Sequence, residues 1–519
     1  MAHDVAVVGG GHNGLICAAY LARAGLDVVV LEARETVGGC ASTVDALGAR
    51  VNVCNCDHLS IRSTPILDEL DLAAHGLRYL DADPAQLSLL WEGGRPWFQF
   101  RELERTFDAL RLAHPGEVEG YRRYVRHAVP VARLVLELAL GLPTRRRIAA
   151  LAGRSPAAAA RLARWSRASA FGVLRAYFRE ESLIAPAGVV GPAVWGVSPD
   201  LPGTGLGALG YALRHLVPVG RPAGGSGALP DAVAGAFAAA GGTLRTGAAV
   251  RAIRAEWALV RGVTLASGEE VDARAVVVAC DPRTALLDWL AGPPEAARRL
   301  VERWRGTPAG EGYQSKVDAV VAEPPRFEGV AEDAARLGVP EPAVPTAIVA
   351  PPSTAFAAAW HGLRSGRVPP RPPAMVNTPS ALDPAMRAGA DHVLSLEALY
   401  TPYALAGGWE GSGEPKRWLD ALAGLARPGF AEGIRRFRAV TPPAFEASFA
   451  MERGFASAFG QSPVSVLAGR DPELTRYETP LRGLFLTGQA TFPGASVWGA
   501  SGRNAAAVVA RRVSSSRTP

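Results

Sequence analysis

Residues 4–39 read DVAVVGGGHNGLICAAYLARAGLDVVVLEARETVGG, and this stretch decides the fold. Residues 5–8 form a short apolar run of the kind expected of a strand buried in a parallel sheet. Gly9, Gly11 and Gly14 follow in G-x-G-x-x-G spacing, and residues 15–24 continue as an Ala/Leu-rich helix that Gly25 ends. Residues 28–31 make a second buried strand with Glu32 at its end, 18 residues beyond Gly14. Each piece has a physical task. Gly9 allows the tight turn, Gly11 lets the backbone approach a pyrophosphate, and Gly14 lets helix and strand pack closely. The helix N-terminus offers free N–H groups and partial positive charge to the phosphates. Glu32 accepts hydrogen bonds from a ribose.

The glycine pattern alone proves little, because Gly205, Gly207 and Gly210 repeat it. They follow Pro199 and Pro202 rather than a strand, and the expected role there is a packed helix start. Only the first copy has strand, glycines, helix, strand and acid in order. Working outward, the 519 residues suffice for roughly two to four domain-sized units. Lys+Arg 55 against Asp+Glu 49 leaves a net charge of +6, a mild excess. With no interleaved basic-aromatic motif and no zinc-finger spacing, nucleic acid is not an expected partner. Five cysteines, an odd number, argue against a disulfide framework. The nucleotide-binding pattern starts at residue 4, leaving no room for a signal peptide, and no run reaches the roughly 18 apolar residues of a spanning helix. The expected location is cytoplasmic, with contact at the inner membrane face.

Further along, residues 67–72 read as a helix and 77–80 as a strand. Cys54 and Cys56 are too few for a metal site without further ligands, and no metal is expected. Residues 101–185 read as helical throughout, with apolar residues at three- and four-residue steps and arginines concentrated from 122 to 179. That face is either ordinary solvated surface or a seat for anionic lipid. After residues 221–253 (RPAGGSGALPDAVAGAFAAAGGTLRTGAAVRAI), strands are expected at 263–266, 270–271, 275–280, 346–350, 392–400 and 484–487, with a helix from about Ala500.

Three separated segments then align with one family. GGGHNGL…LEARETVGG, PAGGSGALPDAVAGAFAAAGG and LFLTGQATFPGASVWGASGRNAA together resemble the phytoene desaturase-type flavoproteins of the amine oxidase superfamily. Residues 51–84 resemble the β-carotene ketolase branch. The resemblance covers nearly the whole chain. It implies an α/β fold in which a Rossmann-like FAD domain is assembled from residues 1–60, 220–292 and 470–519. An α+β substrate domain would comprise residues 61–219 and 293–469, with a helical, membrane-facing part. It implies FAD held by Gly9, Gly11, His12, Asn13, Gly14, Glu32 and Ala33, and by Arg34, Gly38, Gly39 and Cys40 of the second glycine element. Val250 would meet the adenine, and Gly488, Gln489, Ser496, Val497 and Trp498 would lie beside the flavin. Cys40 and Trp498 are departures from the family's usual residues.

Flavin chemistry asks the protein mainly to bind, orient and exclude water. No compact triad is present. Asp57 and His58 are the candidate proton-handling pair, Arg62 is a candidate for orienting a carbonyl or enolate, and Trp498 is a candidate for shaping substrate access. The expected function is FAD-dependent oxidation of a long hydrophobic polyene or isoprenoid by desaturation or ketolation. The alternatives are reductive cyclisation of a polyene such as a tetramate macrolactam precursor, and a non-catalytic FAD-binding scaffold. Arg62 alone keeps amino-acid oxidation in view. The partner is a hydrophobic small molecule, and the oligomeric state is not legible.

Overall fold

The computed structural model describes residues 2–54, 57–290, 292–339, 346–455, 460, 466, 468–494 and 496–515. The quoted stretch folds as β1 (His3–Val8), α1 (His12–Arg23) and β2 (Val28–Leu31). In the sheet they nucleate, the order is Val250–Glu256, Leu259–Leu265, Glu270–Val278, β1, β2, Thr243–Arg245. Leu484–Leu486 lies parallel to the C-terminal end of Glu270–Val278. β1 runs parallel to both β2 and Glu270–Val278, with Val5 opposite Val28 and Ala275. Alternate residues divide between two cores. Val5, Val7, Val28, Val30, Ala275 and Val277 pack with α1, Ala228–Ala239 and Ala500–Ser515. Ala6, Val8, Val29, Leu31, Val276 and Val278 pack with the 250–265 hairpin and Glu295–Gly306. Burial on both faces is why these strands read as unbroken apolar runs.

One expectation is corrected. Residues 270–278 form a single strand rather than two pieces. Gly262–Thr264 pairs antiparallel with its first three residues, and β1 with its remainder. The polar interruption at Asp272 and Arg274 belongs to ion pairs with Arg254 and Asp4 along the strand's margin, not to a break.

The second sheet runs in the order Ile434–Val440, Gln314–Val321, His392–Leu399, Ala374–Asn377, Thr346–Ala350, Gln86–Leu90, Trp97–Gln99. Its Val317, Ala319, Leu394, Leu396 and Ala398 face Trp418, Leu419 and Leu422 of the helix Glu414–Leu425. The alternate residues, Gln314, Lys316, Asp318, Ser395, Glu397, Asn377, Thr346, Gln86 and Ser88, are polar and also buried. A sheet with a buried polar face marks a surface turned towards a site rather than a core.

Residues 103–189 supply helices Leu103–Ala113, Val118–Ala139, Arg145–Arg154, Pro156–Trp165, Ala170–Arg175 and Glu181–Val189. They close around Tyr121, Tyr124, Phe178 and Tyr211, whose rings meet at 5.4–6.4 Å between centroids. The second glycine triplet works here as packing. A Cβ at Gly205 would collide with the Trp165 carbonyl oxygen, and one at Gly207 would lie 2.6 Å from Pro192 Cδ. Among the described residues no helix is long and apolar enough to cross a membrane.

The tightest approach in the first sheet is at Gly14, where a Cβ would collide with the Gly9 carbonyl oxygen and lie 2.9 Å from Ala279 Cβ. Backbone cannot yield as a flexible side chain does. Gly14→Ala is therefore expected to lower the unfolding free energy by about 2–3 kcal/mol or more, measured by urea denaturation of the cofactor-free protein.

Candidate active site

Gly9 takes φ +102, a left-handed value that favours glycine, and its N–H donates to the Leu31 carbonyl at 2.9 Å. Gly11 caps α1, and a Cβ built on it meets nothing within 4 Å. Gly14 is packed against protein while Gly11 opens on free space, so the space beyond Gly11 accommodates a pyrophosphate at the helix N-terminus. Glu32, 7% exposed, accepts from the Gly10 N–H at 2.7 Å and from the Arg34 N–H at 2.9 Å. Each carboxylate oxygen keeps a second lone pair for a ribose hydroxyl. Ala33 is exposed. Val250 starts the strand Val250–Glu256 and is buried.

The second glycine element is pinned to the first. The Gly38 N–H donates to the Gly10 carbonyl at 2.8 Å, and Gly39 comes within Cβ-contact distance, 3.5 Å, of Gly11 Cα. Both have positive φ. Arg34 stacks over Phe449 at 4.6 Å and donates to Ser42 Oγ.

The C-terminal segment arrives from the other side. Gly488, φ +104, donates its N–H to Ser501 Oγ at 3.0 Å, and Ser501 also bonds Thr487 and Thr491. Gln489 follows, partly exposed. Val497 carbonyl accepts from the Ile61 N–H at 2.9 Å, and Ser496 Oγ meets Ser60 Oγ at 3.0 Å. His12 is buried and bonded to the Ser496 backbone, which ties the start of α1 to this loop. Burial brings its pKa down to about 4, the backbone bond opposing. Two buried polar atoms here, Asn13 Oδ1 and Trp498 Nε1, have no partner among the described residues. Orphaned polar atoms beside an open glycine and a helix N-terminus are what a polar cofactor would complete.

The structure gives Asp57 and His58 separate partners. Asp57 accepts from Arg221 Nε at 2.7 Å and from Thr346 Oγ1. Burial, the largest influence, pushes its pKa up, but the Arg221 guanidinium and the Thr346 hydroxyl outweigh it and the net shift is downward. His58 is fully buried, its Nδ1 2.9 Å from Tyr79 OH and its Nε2 2.7 Å from Ser226 Oγ. With both ring nitrogens engaged and burial lowering its pKa to about 3, it is a neutral ring that fixes the 224–227 turn. Ser226 and Gly227 of that turn donate their N–H groups to Asn52 Oδ1 and Thr43 Oγ1. Arg62 lies over Tyr79 at 4.8 Å and pairs with Asp81 at 2.6 Å. Cys40 Sγ donates to Met451 Sδ, and Cys40 also bonds Cys54, whose pKa rises through that bond and burial. Cys56 lies outside the described residues. Among the described residues no group of three or more His, Cys, Asp or Glu is arranged to hold a metal.

Sequence reading missed the groups that the second sheet brings to the seam. Lys316 Nζ donates to the Asn52 carbonyl and to Asp318, which also accepts from Ser395 Oγ at 2.9 Å and Arg438 Nε at 3.0 Å. Glu397 lies directly opposite Lys316 in the register. The signal was present. QSKVDAVV (314–321) and HVLSLEAL (392–399) place polar residues two apart, at 314, 316 and 318 and at 395 and 397, on strands otherwise too apolar to face water.

The profile of the flavin containing amine oxidoreductases matches residues 14–313, more than half of the chain, and the chain belongs to that family. It is 28% identical to the mouse (Mus musculus) pyridine nucleotide-disulfide oxidoreductase domain-containing protein 2, over 98% of this chain and 93% of that protein. A stretch of 119 residues is 36% identical to a limonene dehydrogenase component of Castellaniella defragrans, covering 23% of this chain and 22% of the relative. A solved oxidoreductase from Methanosarcina mazei superposes with a TM-score of 0.61 at 16% identity, over 98% of this chain and 100% of that one, which establishes the fold. The protein is an FAD-dependent oxidoreductase with an amine oxidase-type α/β fold. The open space at Gly11, the orphaned atoms and the lone pairs of Glu32 fit the cofactor.

Three outcomes follow from this geometry. Gly11→Val is expected to leave the unfolding free energy of the cofactor-free protein within about 0.5 kcal/mol of the parent while abolishing FAD retention, read as bound flavin per chain. Asp57→Asn removes the carboxylate that pairs with the buried Arg221 cation and should cost about 3–5 kcal/mol. A buried imidazole with a depressed pKa binds fewer protons folded than unfolded, so its contribution is lost as pH falls from 6.5 towards about 3. The unfolding free energy of His58→Asn should fall less steeply than the parent's across that window.

Proposed function

We propose that this oxidoreductase dehydrogenates an extended, mostly apolar isoprenoid or polyene. The observation that carries the reading is the composition of one row across the second sheet. Lys316, Glu397, Met375, Ile348 and Ser88 are register partners in succession. The row is charged where Lys316 reaches Asn52 of the hairpin that holds the 224–227 turn, turns apolar at Met375 and Ile348, which pack against the helical block, and ends at the buried Ser88. A ligand lying along it would meet the polar groups first and the apolar Met375 next. Burial of an apolar chain there is favourable by about 25 cal/mol per Å² and needs no matching charges. The local similarity to the limonene dehydrogenase component, a protein named for a small isoprenoid, supports the same class. Bound FAD supplies the hydride acceptor. The chain's own residues orient the ligand, exclude water and take up protons.

An exposed arginine face accompanies this reading. Arg123, Arg126, Arg161 and Arg164 converge on His127, whose pKa is lowered first by burial and then by these cations. A greasy substrate that partitions into lipid is best collected by a protein that rests on an anionic surface.

The test is anaerobic mixing of the holoprotein with isoprenoid alcohols, acyclic polyenes, primary amines and amino acids, following bleaching of the bound flavin. Reduction by isoprenoids or polyenes is expected. Reduction by amines or amino acids alone would overturn the substrate class, and reduction by none would favour the scaffold. Co-sedimentation with phosphatidylserine vesicles is expected at low salt and should fall steeply by about 0.5 M, because screening weakens exposed charges.

A further inference from the structure

Among the described residues, Lys316, Asp318 and Asp57 at the seam all have hydrogen-bond partners, and Glu397 has none. It is 8% exposed, on an interior strand of a seven-stranded sheet, between Lys316 on one neighbouring strand and Met375 on the other. Among the described residues no hydrogen bond reaches its carboxylate, and Lys316 is the charge that acts on it. The cation opposite is committed elsewhere, since Lys316 donates to Asp318 and the Asn52 carbonyl. Asp318 in turn is held by Arg438 and Ser395. Natural proteins rarely bury a carboxyl without a partner unless something else meets it.

Its surroundings place it. The charged and titratable groups that face Glu397 are Lys316 on the adjacent strand, Tyr313 just before that strand, and Cys54 on the segment after the Ala49–Asn52 strand. Cys54 bonds Cys40, which directly follows the Gly38–Gly39 element of the FAD cradle. Lys316 reaches Asn52, whose Oδ1 holds the Ser226 N–H of the 224–227 turn. Glu397 therefore stands where the cradle and the substrate sheet meet. Burial brings its pKa up to about 7, with Lys316 opposing.

We propose that Glu397 is the catalytic acid–base group on the polar face of the second sheet and that it takes the proton released when a C–H bond of the substrate is oxidised. This rests on the dehydrogenation reading above. With FAD bound, the flavin would supply the two-electron acceptor for the hydrogen that one carbon loses as hydride. The neighbouring carbon loses its hydrogen as a proton to a Glu397 carboxylate oxygen, and the electron pair of that C–H bond becomes the new double bond. Glu397 later passes the proton to water. A carboxyl titrating near neutral pH is matched to this task, because it is ionised when the substrate binds and still basic enough to accept.

The test uses the FAD-loaded full-length chain and Glu397→Gln, with Glu397→Asp as the conservative variant and flavin content confirming folding. Three readouts are taken. The infrared C=O band of a protonated buried carboxyl should disappear between about pH 6 and pH 8 in the parent and be missing from Glu397→Gln. A raised folded pKa adds stability at low pH that is lost as pH rises from about 4.5 to about 7, so the parent's melting temperature should fall across that window more than that of Glu397→Gln. The rate of flavin reduction by an isoprenoid should rise with an apparent pKa near 7 in the parent. It should drop about 100-fold and lose that rise in Glu397→Gln, and recover partly in Glu397→Asp. A carboxyl that titrates at about 4–5, the ordinary range, or a Glu397→Gln profile that matches the parent's, would overturn the proposal. A carboxyl titrating near 7 with no isoprenoid reducing the flavin would instead count against the substrate reading.

Discussion

The approach of α1 to the end of β1 is the constraint on which the rest of this molecule depends. At Gly14 the helix lies so close to the Gly9 carbonyl that no Cβ fits between them. That closeness aims the first N–H groups of α1 across the strand ends and leaves Gly11 facing open space. Everything later in the chain is fastened to this point. Gly38 bonds Gly10, the Ser496 backbone bonds His12, and a Cβ at Gly502 would collide with the Asn13 carbonyl. Segments from opposite ends of the chain thus close one cradle, and its geometry is set by backbone rather than by long side chains that must be ordered at an entropic cost.

The second sheet is joined to that cradle by few but well-buried polar bonds. Lys316 to Asn52, Arg221 between Asp57 and Thr346, and the Gly224 N–H on the Asp383 carboxylate cross the seam. Such bonds are directional and costly to leave unmade, so they fix the position of the second sheet against the cradle more sharply than apolar packing would. They also explain why the sheet's inner face is polar. It serves the contact with the cradle on one side, while Trp418 and Leu422 close an ordinary apolar core on the other.

Much of this was legible in the sequence, and the limits have physical causes. The first strand–helix–strand unit, the strand Thr346–Ala350 and the helix from Ala500 follow from local pattern, because apolar period and glycine placement act over a few residues. The cofactor followed from glycine elements whose job is steric. Partner choice was not legible. Asp57 and His58 are adjacent in sequence, and adjacency suggested a pair, yet a strand-like backbone sends successive side chains to opposite sides. Their partners, Arg221, Thr346, Tyr79 and Ser226, lie 21 to 289 residues away. Glu397 was overlooked because an isolated glutamate in an apolar strand acquires meaning only from the neighbouring strand, and that register is a tertiary fact.

The central claim is that one chain builds a flavin cradle beneath a polar row of the substrate sheet, with Glu397 as its free carboxyl. A crystal structure of the FAD-loaded protein tests it most directly. The account predicts adenosine ribose hydroxyls within hydrogen-bond distance of Glu32, the pyrophosphate against Gly11, and the flavin ring between the Cys40 segment and the sheet, its reactive face open to Glu397. A ring that lies away from that sheet, or a Glu397 carboxylate closed off from it by protein, would contradict the account.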